Sequence, residues 1–330
     1  MVDPVNRKAV ALLSGGLDST LAAKLILDQG IELHGVFFSM LWGCCDKLEA
    51  LKAGHRLGIP MMVLKIQEDY IDLVRKPKYG YGVQMNPCVD CRIHMWTRAK
   101  AYMESIGATF LVTGEVLGQR PMSQMKPRLD IIERDSGLVG RIVRPLSAQL
   151  LAPSLPEQEG IVDRSKLLAV TGRSRKEQIA LAAQLGVTDY PTPAGGCELT
   201  DPEFAKKVKD LLAHEAHPGT QDMELLTVGR HFRLTASVKA ILGRNAEENL
   251  LLEGYQSAGM MLCKPLFPGP TALVVGPWAT ELREPVLQLM ARYTKFDKLD
   301  GCEPLVQCGA ETWRLTPGVD QTEALAAAKI

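Results

Sequence analysis

Two rhythms of apolar and polar positions alternate along the first 150 residues. Short runs in which most positions are apolar, Lys8–Leu13, Ile31–Phe38, Met61–Ile66 and Thr109–Val112, predict buried strands. Between them, Ser19–Asp28, Lys47–Leu57 and Arg92–Ile106 carry apolar side chains at the spacing of one helix face. Gly30, Gly58 and Gly107 fall just past these three segments, where a left-handed residue ends a helix. Strand and helix in turn, at this pitch, predict an α/β unit: a parallel sheet with helices on both faces. Ligands of such sheets sit at the carboxyl ends of the strands.

Residues 151–217 read as helix-rich, with amphipathic stretches at Ser165–Val170 and Arg175–Leu185. The Pro-rich turn Tyr190–Cys197 follows, and then a helix opening at Asp201-Pro202 with Asp as cap and Pro in the first turn. His214–Thr220 marks the expected seam between a domain at 1–217 and one at 218–330. Beyond it, short strand-like runs (Leu225–Val228, Val238–Leu242, Ala272–Val275, Leu305–Cys308) predict a smaller α+β domain.

A length of 330 residues fits two or three domains, and 46% hydrophobic with 23% charged residues excludes disordered, collagen-like and coiled-coil chains. Lys+Arg equals Asp+Glu at 38 each, which excludes a strongly basic nucleic-acid coat but leaves room for a local basic patch. No apolar run is long enough to span a membrane and no signal segment is seen, so a cytoplasmic protein is expected. Eight cysteines are too few for a secreted disulfide scaffold. In a reducing compartment they point to burial, metal binding or sulfur chemistry.

The strongest local signal is Ser14-Gly15-Gly16-Leu17-Asp18-Ser19-Thr20, directly after a strand and opening a helix. Glycines allow a tight turn and close approach, and the helix start presents N–H groups and a positive dipole end to an anion. The hydroxyls of Ser14, Ser19 and Thr20 add donors. Asp18 would repel a bare phosphate, so it suits Mg²⁺ or loop orientation. The plain alternative is a glycine turn with a Ser or Asp cap.

SGGLDST resembles the phosphate loop of the PP-loop ATP pyrophosphatases, which split ATP to AMP and pyrophosphate while adenylating a substrate. The resemblance implies a Rossmann-like sheet of the adenine nucleotide alpha hydrolase type. It also implies ATP held by Ser14, Gly15, Gly16, Asp18, Ser19 and Thr20, with Mg²⁺. Asn86-Pro87-Cys88-Val89-Asp90-Cys91 opens a helix, and a CxxC by itself fits half a zinc site, a redox pair or a cluster site. Its Asn-Pro-x-x-x-Cys frame is similar to the active-site loop of tRNA 2-thiouridylases, and Gly195-Gly196-Cys197 falls where those enzymes carry a second cysteine. Thr113-Gly114-Glu115-Val116-Leu117-Gly118-Gln119 and Arg144-Pro145-Leu146 resemble stretches of tRNA 4-thiouridine synthetases, which places Gly114 and Gln119 at the nucleotide. The resemblance runs in order over residues 8–200.

It implies an ATP-dependent sulfurtransferase that adenylates a uridine of tRNA, with Asp18, Cys91 and Cys197 catalytic. Two sulfur mechanisms stay open: Cys91 and Cys197 as a persulfide and resolving pair, or Cys88, Cys91 and Cys197 as ligands of a [4Fe–4S] cluster. The added Cys88 favours the cluster. A structural zinc is a third use. Cys44 and Cys45 read as core or cap residues, and His94 as structural.

Residues 71–100 carry six Lys/Arg against two acids, and residues 119–144 six against three, which is expected to serve RNA phosphates. Val228–Arg233, Gly243–Asn249 and Pro268-Gly269-Pro270 are similar to the NFACT-R domain, implying RNA contact by the C-terminal part. No rhodanese-like loop is present, so the sulfur donor would be external, a cysteine desulfurase or free sulfide. A homodimer is left open. Competing readings are a zinc-containing PP-loop enzyme that amidates or ligates a small molecule, and a non-catalytic RNA-binding protein with a vestigial nucleotide loop.

Overall fold

The computed structural model describes residues 6–43, 45–66, 68–192, 196–299, 302–317 and 328–330. Cys44 and Pro193-Ala194-Gly195 of the turn before Cys197 lie outside the described residues. The chain divides into two compact units, Met1–Thr200 and Asp201–Ile330. The helix opened by Asp201-Pro202 therefore belongs to the second unit, whereas the seam expected from the sequence lay at 217/218. Among the described residues no helix is long and apolar enough to cross a membrane.

The first unit alternates as its pattern predicts: β1 (Lys8–Leu12), α1 (Leu17–Leu27), β2 (Glu32–Met40), α2 (Lys47–Leu57), β3 (Met61–Ile66), α3 (Glu68–Arg75), α4 (Cys88–Ser105), β4 (Phe110–Thr113), α5 (Lys126–Ser136) and β5 (Ile142–Val143). The strands form one parallel sheet in the order β3-β2-β1-β4-β5. Successive residues of β1 feed opposite faces. Ala9, Ala11 and Leu13 pack with Ala22, Ala23 and Ile26 of α1, while Val10 packs with Trp96, Ala99 and Met103 of α4. Both faces are thus covered, and each fully buried aliphatic side chain contributes roughly 1.5–3 kcal/mol. The order reverses beside β1, so the carboxyl ends of β1 and β4 flank the crevice where α/β sheets take ligands.

Two short helices complete the unit, α6 (Leu155–Gln158) and α7 (Lys176–Gln184). The amphipathic helix expected at Ser165–Val170 is not formed. After a single turn at Arg164–Lys166 the chain runs alongside residues 145–149, with Leu168 N donating to Pro145 O (2.9 Å) and Val170 N to Leu146 O (2.7 Å). Leu167 and Val170 are buried by that pairing instead. Helix α4 begins at Cys88, four residues earlier than its apolar spacing suggested, so both thiols of the CxxC lie in its first turn.

The second unit holds α8 (Pro202–His214), α9 (Thr220–Leu225), β6 (Arg230–Thr235), β7 (Val238–Leu242), α10 (Ala246–Gly254), β8 (Met260–Pro265), β9 (Ala272–Val275), α11 (Arg283–Arg292), β10 (Leu305–Cys308) and β11 (Glu311–Arg314). Its sheet is antiparallel, in the order β11-β10-β8-β9-β7-β6, an α+β arrangement as expected. Asp201 caps α8 by accepting from Phe204 N at 2.8 Å. The strand expected at Leu225–Val228 is instead the end of α9 and a turn. Gly229, at φ +73°, redirects the chain there, and His231 Nε2 donates to the carbonyls of Leu225 and Val228 (3.1 and 3.0 Å). Cys263 and Cys308 stand opposite each other on β8 and β10 and are joined as a buried disulfide. For these two, the expectation of reduced thiols is corrected.

Candidate active site

The phosphate-loop motif turns between β1 and α1. Gly15 has φ +79°, and a Cβ there would lie 2.5 Å from the Glu49 backbone, so only glycine lets α2 approach. Helix α1 starts at Gly16 with no side-chain cap, which leaves its first N–H groups to an incoming anion. The loop is braced from within. Ser14 and Ser19 hydroxyls stand 3.1 Å apart, and Ser19 Oγ and Thr20 Oγ1 donate to Gly16 O at 2.9 and 3.0 Å. Across the crevice, Gly114 follows β4 so closely that a Cβ would sit 2.4 Å from Ser19 N. Gln119 Nε2 donates to Asp18 Oδ2 at 3.0 Å, while Asp18 Oδ1 is buried without a partner among the described residues. An orphaned carboxylate oxygen beside a phosphate loop suits a divalent cation.

The three thiols named from the sequence gather around one buried tyrosine. Tyr70 of α3 is 1% exposed, and the sulfurs of Cys91, Cys197 and Cys88 all lie within electrostatic reach of its hydroxyl. Burial is the main cause that lifts the Tyr70 hydroxyl well above its ordinary range. The Cys91 residue is half-buried but its sulfur is enclosed, and burial pushes its thiol up to about 12 against the opposing Tyr70 hydrogen bond. Two backbone ties assemble the pocket. Met85 N donates to Leu199 O (3.1 Å), which docks the Cys197 turn beside the loop before α4. The Asp90 carboxylate accepts from Lys78 N and Tyr79 N (2.9 and 3.0 Å), fixing that loop to the helix start. Cys197 Sγ donates to Trp42 O at 3.6 Å, and the Trp42 ring meets the Tyr70 ring edge-on with centroids 6.3 Å apart.

A chain of buried charges runs between the two halves of the site. Glu115, next to Gly114, accepts from Arg92 Nη1 at 2.7 Å and from Arg144 Nε at 2.9 Å, and Arg144 also pairs with Glu133. Arg92 lies over the Trp96 ring at 5.2 Å and reaches the Cys88 sulfur. Burial, the largest single influence, works to lower both guanidiniums, but the negative groups around them together hold each above its ordinary value: Glu115 with the Cys88 and Cys91 sulfurs at Arg92, and Glu115 with Glu133 at Arg144.

Several expectations change in this light. Among the described residues no group of three or more His, Cys, Asp or Glu side chains is placed to hold a metal ion. Cys88, Cys91 and Cys197 lie within electrostatic reach of one hydroxyl, a placement that the cluster and persulfide readings share. Of the twelve cations assigned to RNA phosphates, Lys78, Arg92, Arg98, Lys126, Arg134, Arg141 and Arg144 are in ion pairs. Arg144 is a buried structural charge and Arg92 a half-buried one. Cys45 is exposed rather than core, and His94 pairs with Asp69 at 3.2 Å. Trp42, Tyr70 and Glu115 were not singled out from the sequence. For Glu115 the available signal was an acid set between a glycine and an apolar run.

Comparison with known proteins relates two stretches of the chain to known families. Residues 4–149 match the family of the thiamine biosynthesis protein (ThiI), and residues 229–314 match the NFACT protein RNA binding domain. The two matches fall in the order the sequence resemblance implied, a ThiI-like stretch followed by an NFACT-R-like one. Curated relatives include the tRNA-specific 2-thiouridylase MnmA of Xanthobacter autotrophicus, 28% identical over 250 residues covering 69% of this chain and 61% of that protein. The MnmA of Acidithiobacillus ferrooxidans is 39% identical over 120 residues, 33% of this chain and 34% of that one. This chain thus spans about three fifths or less of those two relatives. A solved 4-thiouridine synthetase–RNA complex with bound ATP is also similar, at 21% identity and TM-score 0.34 over 55% of this chain and 51% of that one.

Proposed function

We propose that this chain is an ATP-dependent tRNA sulfurtransferase that adenylates a uridine and exchanges its carbonyl oxygen for sulfur. The observation that carries the reading is the pairing of an uncapped helix start, made for phosphates, with three thiols gathered at one buried tyrosine in the same unit.

The α1 N–H groups and the loop glycines cradle the triphosphate. The uridine oxygen attacks the α-phosphorus, pyrophosphate departs, and the oxygen becomes part of an AMP leaving group. Asp18, fixed through Oδ2 by Gln119, offers Oδ1 to Mg²⁺, which when bound offsets phosphate charge. One of Cys91 and Cys197 carries a terminal persulfide sulfur. That sulfur adds to the activated carbon and AMP leaves with the carbon–oxygen electron pair. The second cysteine then attacks the carrier's own sulfur. The sulfur–sulfur bond to the product breaks, the thiolated base leaves, and a Cys91–Cys197 disulfide remains. Sulfide reloads the site by opening that disulfide, which leaves a persulfide on one cysteine and a thiol on the other; alternatively an external dithiol reduces the disulfide and an external persulfide then passes its outer sulfur to the carrier. The steps follow the persulfide alternative, which fits the finding that no metal-holding group of side chains is present among the described residues. Stoichiometric iron and sulfide in anaerobically purified protein would reverse that choice.

The NFACT-R domain is assigned the RNA-holding role. Incubation with unmodified tRNA, ATP, Mg²⁺ and a sulfide donor is expected to give thiolated nucleoside and AMP in equal amounts, read by mass spectrometry. ADP as product, or turnover that ignores RNA, would overturn the reading.

A further inference from the structure

An enzyme that does chemistry on a base takes that base out of the stack, and an aromatic face on the protein can replace the stacking it gives up. Of the aromatic side chains among the described residues, Tyr81 alone is exposed, at 40%. It stands on the loop that leads into α4, whose first residue is Cys88. That loop is held on two sides. Gly82 N donates to Asn86 O at 2.8 Å, which folds Tyr81 back toward the start of α4, and Met85 N donates to Leu199 O, which brings in the turn of Cys197. A Cβ at Gly82 would lie 3.0 Å from the Met122 side chain, so the loop also packs on the segment whose Gln119 holds Asp18. Tyr81 thus sits on a loop that touches both the thiol turn and the nucleotide segment.

Its ring is braced rather than free. The hydroxyl donates to Val74 O at 2.6 Å and lies 3.2 Å from Arg75 O, at the end of α3, so the phenol tip is fixed while the ring remains open to solvent. A ring fixed in this way has little freedom left to lose on binding. Val83, 56% exposed, adds apolar surface on the same loop. Exposed cations stand on both flanks: Lys76 directly after Arg75, and Arg120 on the Met122 segment. An apolar face with cations beside it matches an unstacked base and its own phosphates. We propose that Tyr81 is the stacking platform for the unpaired uridine presented for thiolation, with Lys76 and Arg120 taking the flanking phosphates. The inference rests on the thiolation reading and deepens it by naming the residue that holds the base.

Tyr81→Leu and Tyr81→Phe, made in the full chain, test it together. Both lose the hydroxyl and its tie to α3, so any structural cost is common to them, whereas Phe alone keeps an aromatic face. Binding is measured with an oligouridylate and with an abasic strand of equal length. The wild-type chain should bind the oligouridylate more tightly. On that probe Tyr81→Leu should be weaker than Tyr81→Phe by about 5- to 150-fold, the worth of one base–aromatic stack, with little difference between them on the abasic strand. The kcat/KM for tRNA thiolation should separate the two variants by a similar factor. Equal losses in both would make Tyr81 a cap for α3 and overturn the inference, as would a wild-type chain that binds the two probes equally. Variants that differ on the oligouridylate but thiolate tRNA equally well would place some other base on the ring, which also overturns it. A wild-type chain that makes no thiolated nucleoside brings down the thiolation reading, and the binding measurement then still decides whether Tyr81 stacks a base.

Discussion

Glu115→Gln should be among the most damaging single-atom changes in the first unit. The carboxylate is 3% exposed and stands between the guanidiniums of Arg92, which is half-buried, and Arg144, which is buried. An amide keeps the shape but removes the charge. Arg144 retains Glu133, whereas Arg92 loses its carboxylate partner. Stranding a buried charge in this way costs about 3–5 kcal/mol. For a unit of this size each kcal/mol moves the midpoint by roughly 2–4 °C, so thermal unfolding should fall by about 6–20 °C. Lys126→Ala is the control, because Lys126 and Asp130 form an exposed pair worth no more than about 1 kcal/mol. Melting curves of both variants by circular dichroism decide the matter. A Glu115→Gln shift of about 2 °C or less, or one equal to the control's, would refute the account of Glu115 as the keystone of a dry charge chain.

Other outcomes follow from the same geometry. Gly114→Ala drives a Cβ into the Ser19 backbone and should raise the KM for ATP at least about tenfold, read by AMP formation; an unchanged KM would contradict the close approach. Iodoacetamide at pH 8 should alkylate Cys88 before Cys91, because a thiol pushed up to about 12 stays protonated far above that pH; peptide mass spectrometry showing Cys91 first would contradict it. Lys78, Tyr79 and Arg134 hold the Asp135 carboxyl well below the usual carboxylate range. That stabilisation is present above the ordinary Asp pKa of about 4 and is lost as pH falls through the lowered folded value. Asp135→Asn should therefore flatten the acid limb of a stability–pH curve and leave the alkaline limb alone.

The parallel sheet was legible because its two periodicities are clean. β3, α2, β7, β9 and β10 fall at the residues that the apolar runs marked. Ser165–Val170 misled because its apolar positions satisfy a paired extended segment, a tertiary demand that helical spacing cannot reveal. Leu225–Val228 misled because four apolar-leaning residues fit a helix end as well as a strand, and Gly229 with His231 decides between them. The phosphate loop and the thiols were readable as motifs, since short stretches of backbone carry them. Tyr70 was not, because its place beside the thiols depends on three segments, around residues 42, 91 and 197, meeting in space. Arg92 and Arg144 counted as surface charge in a linear tally, and only folding shows that Glu115 consumes them.

The central claim is that the base oxygen is activated by adenylation before sulfur replaces it. Its most direct test uses tRNA whose uridine carbonyl oxygens carry ¹⁸O, incubated with ATP and a sulfide donor. The account predicts one ¹⁸O in the phosphate of each AMP for every thiolated uridine formed. AMP free of label alongside thiolated RNA, or release of ADP in its place, would contradict it.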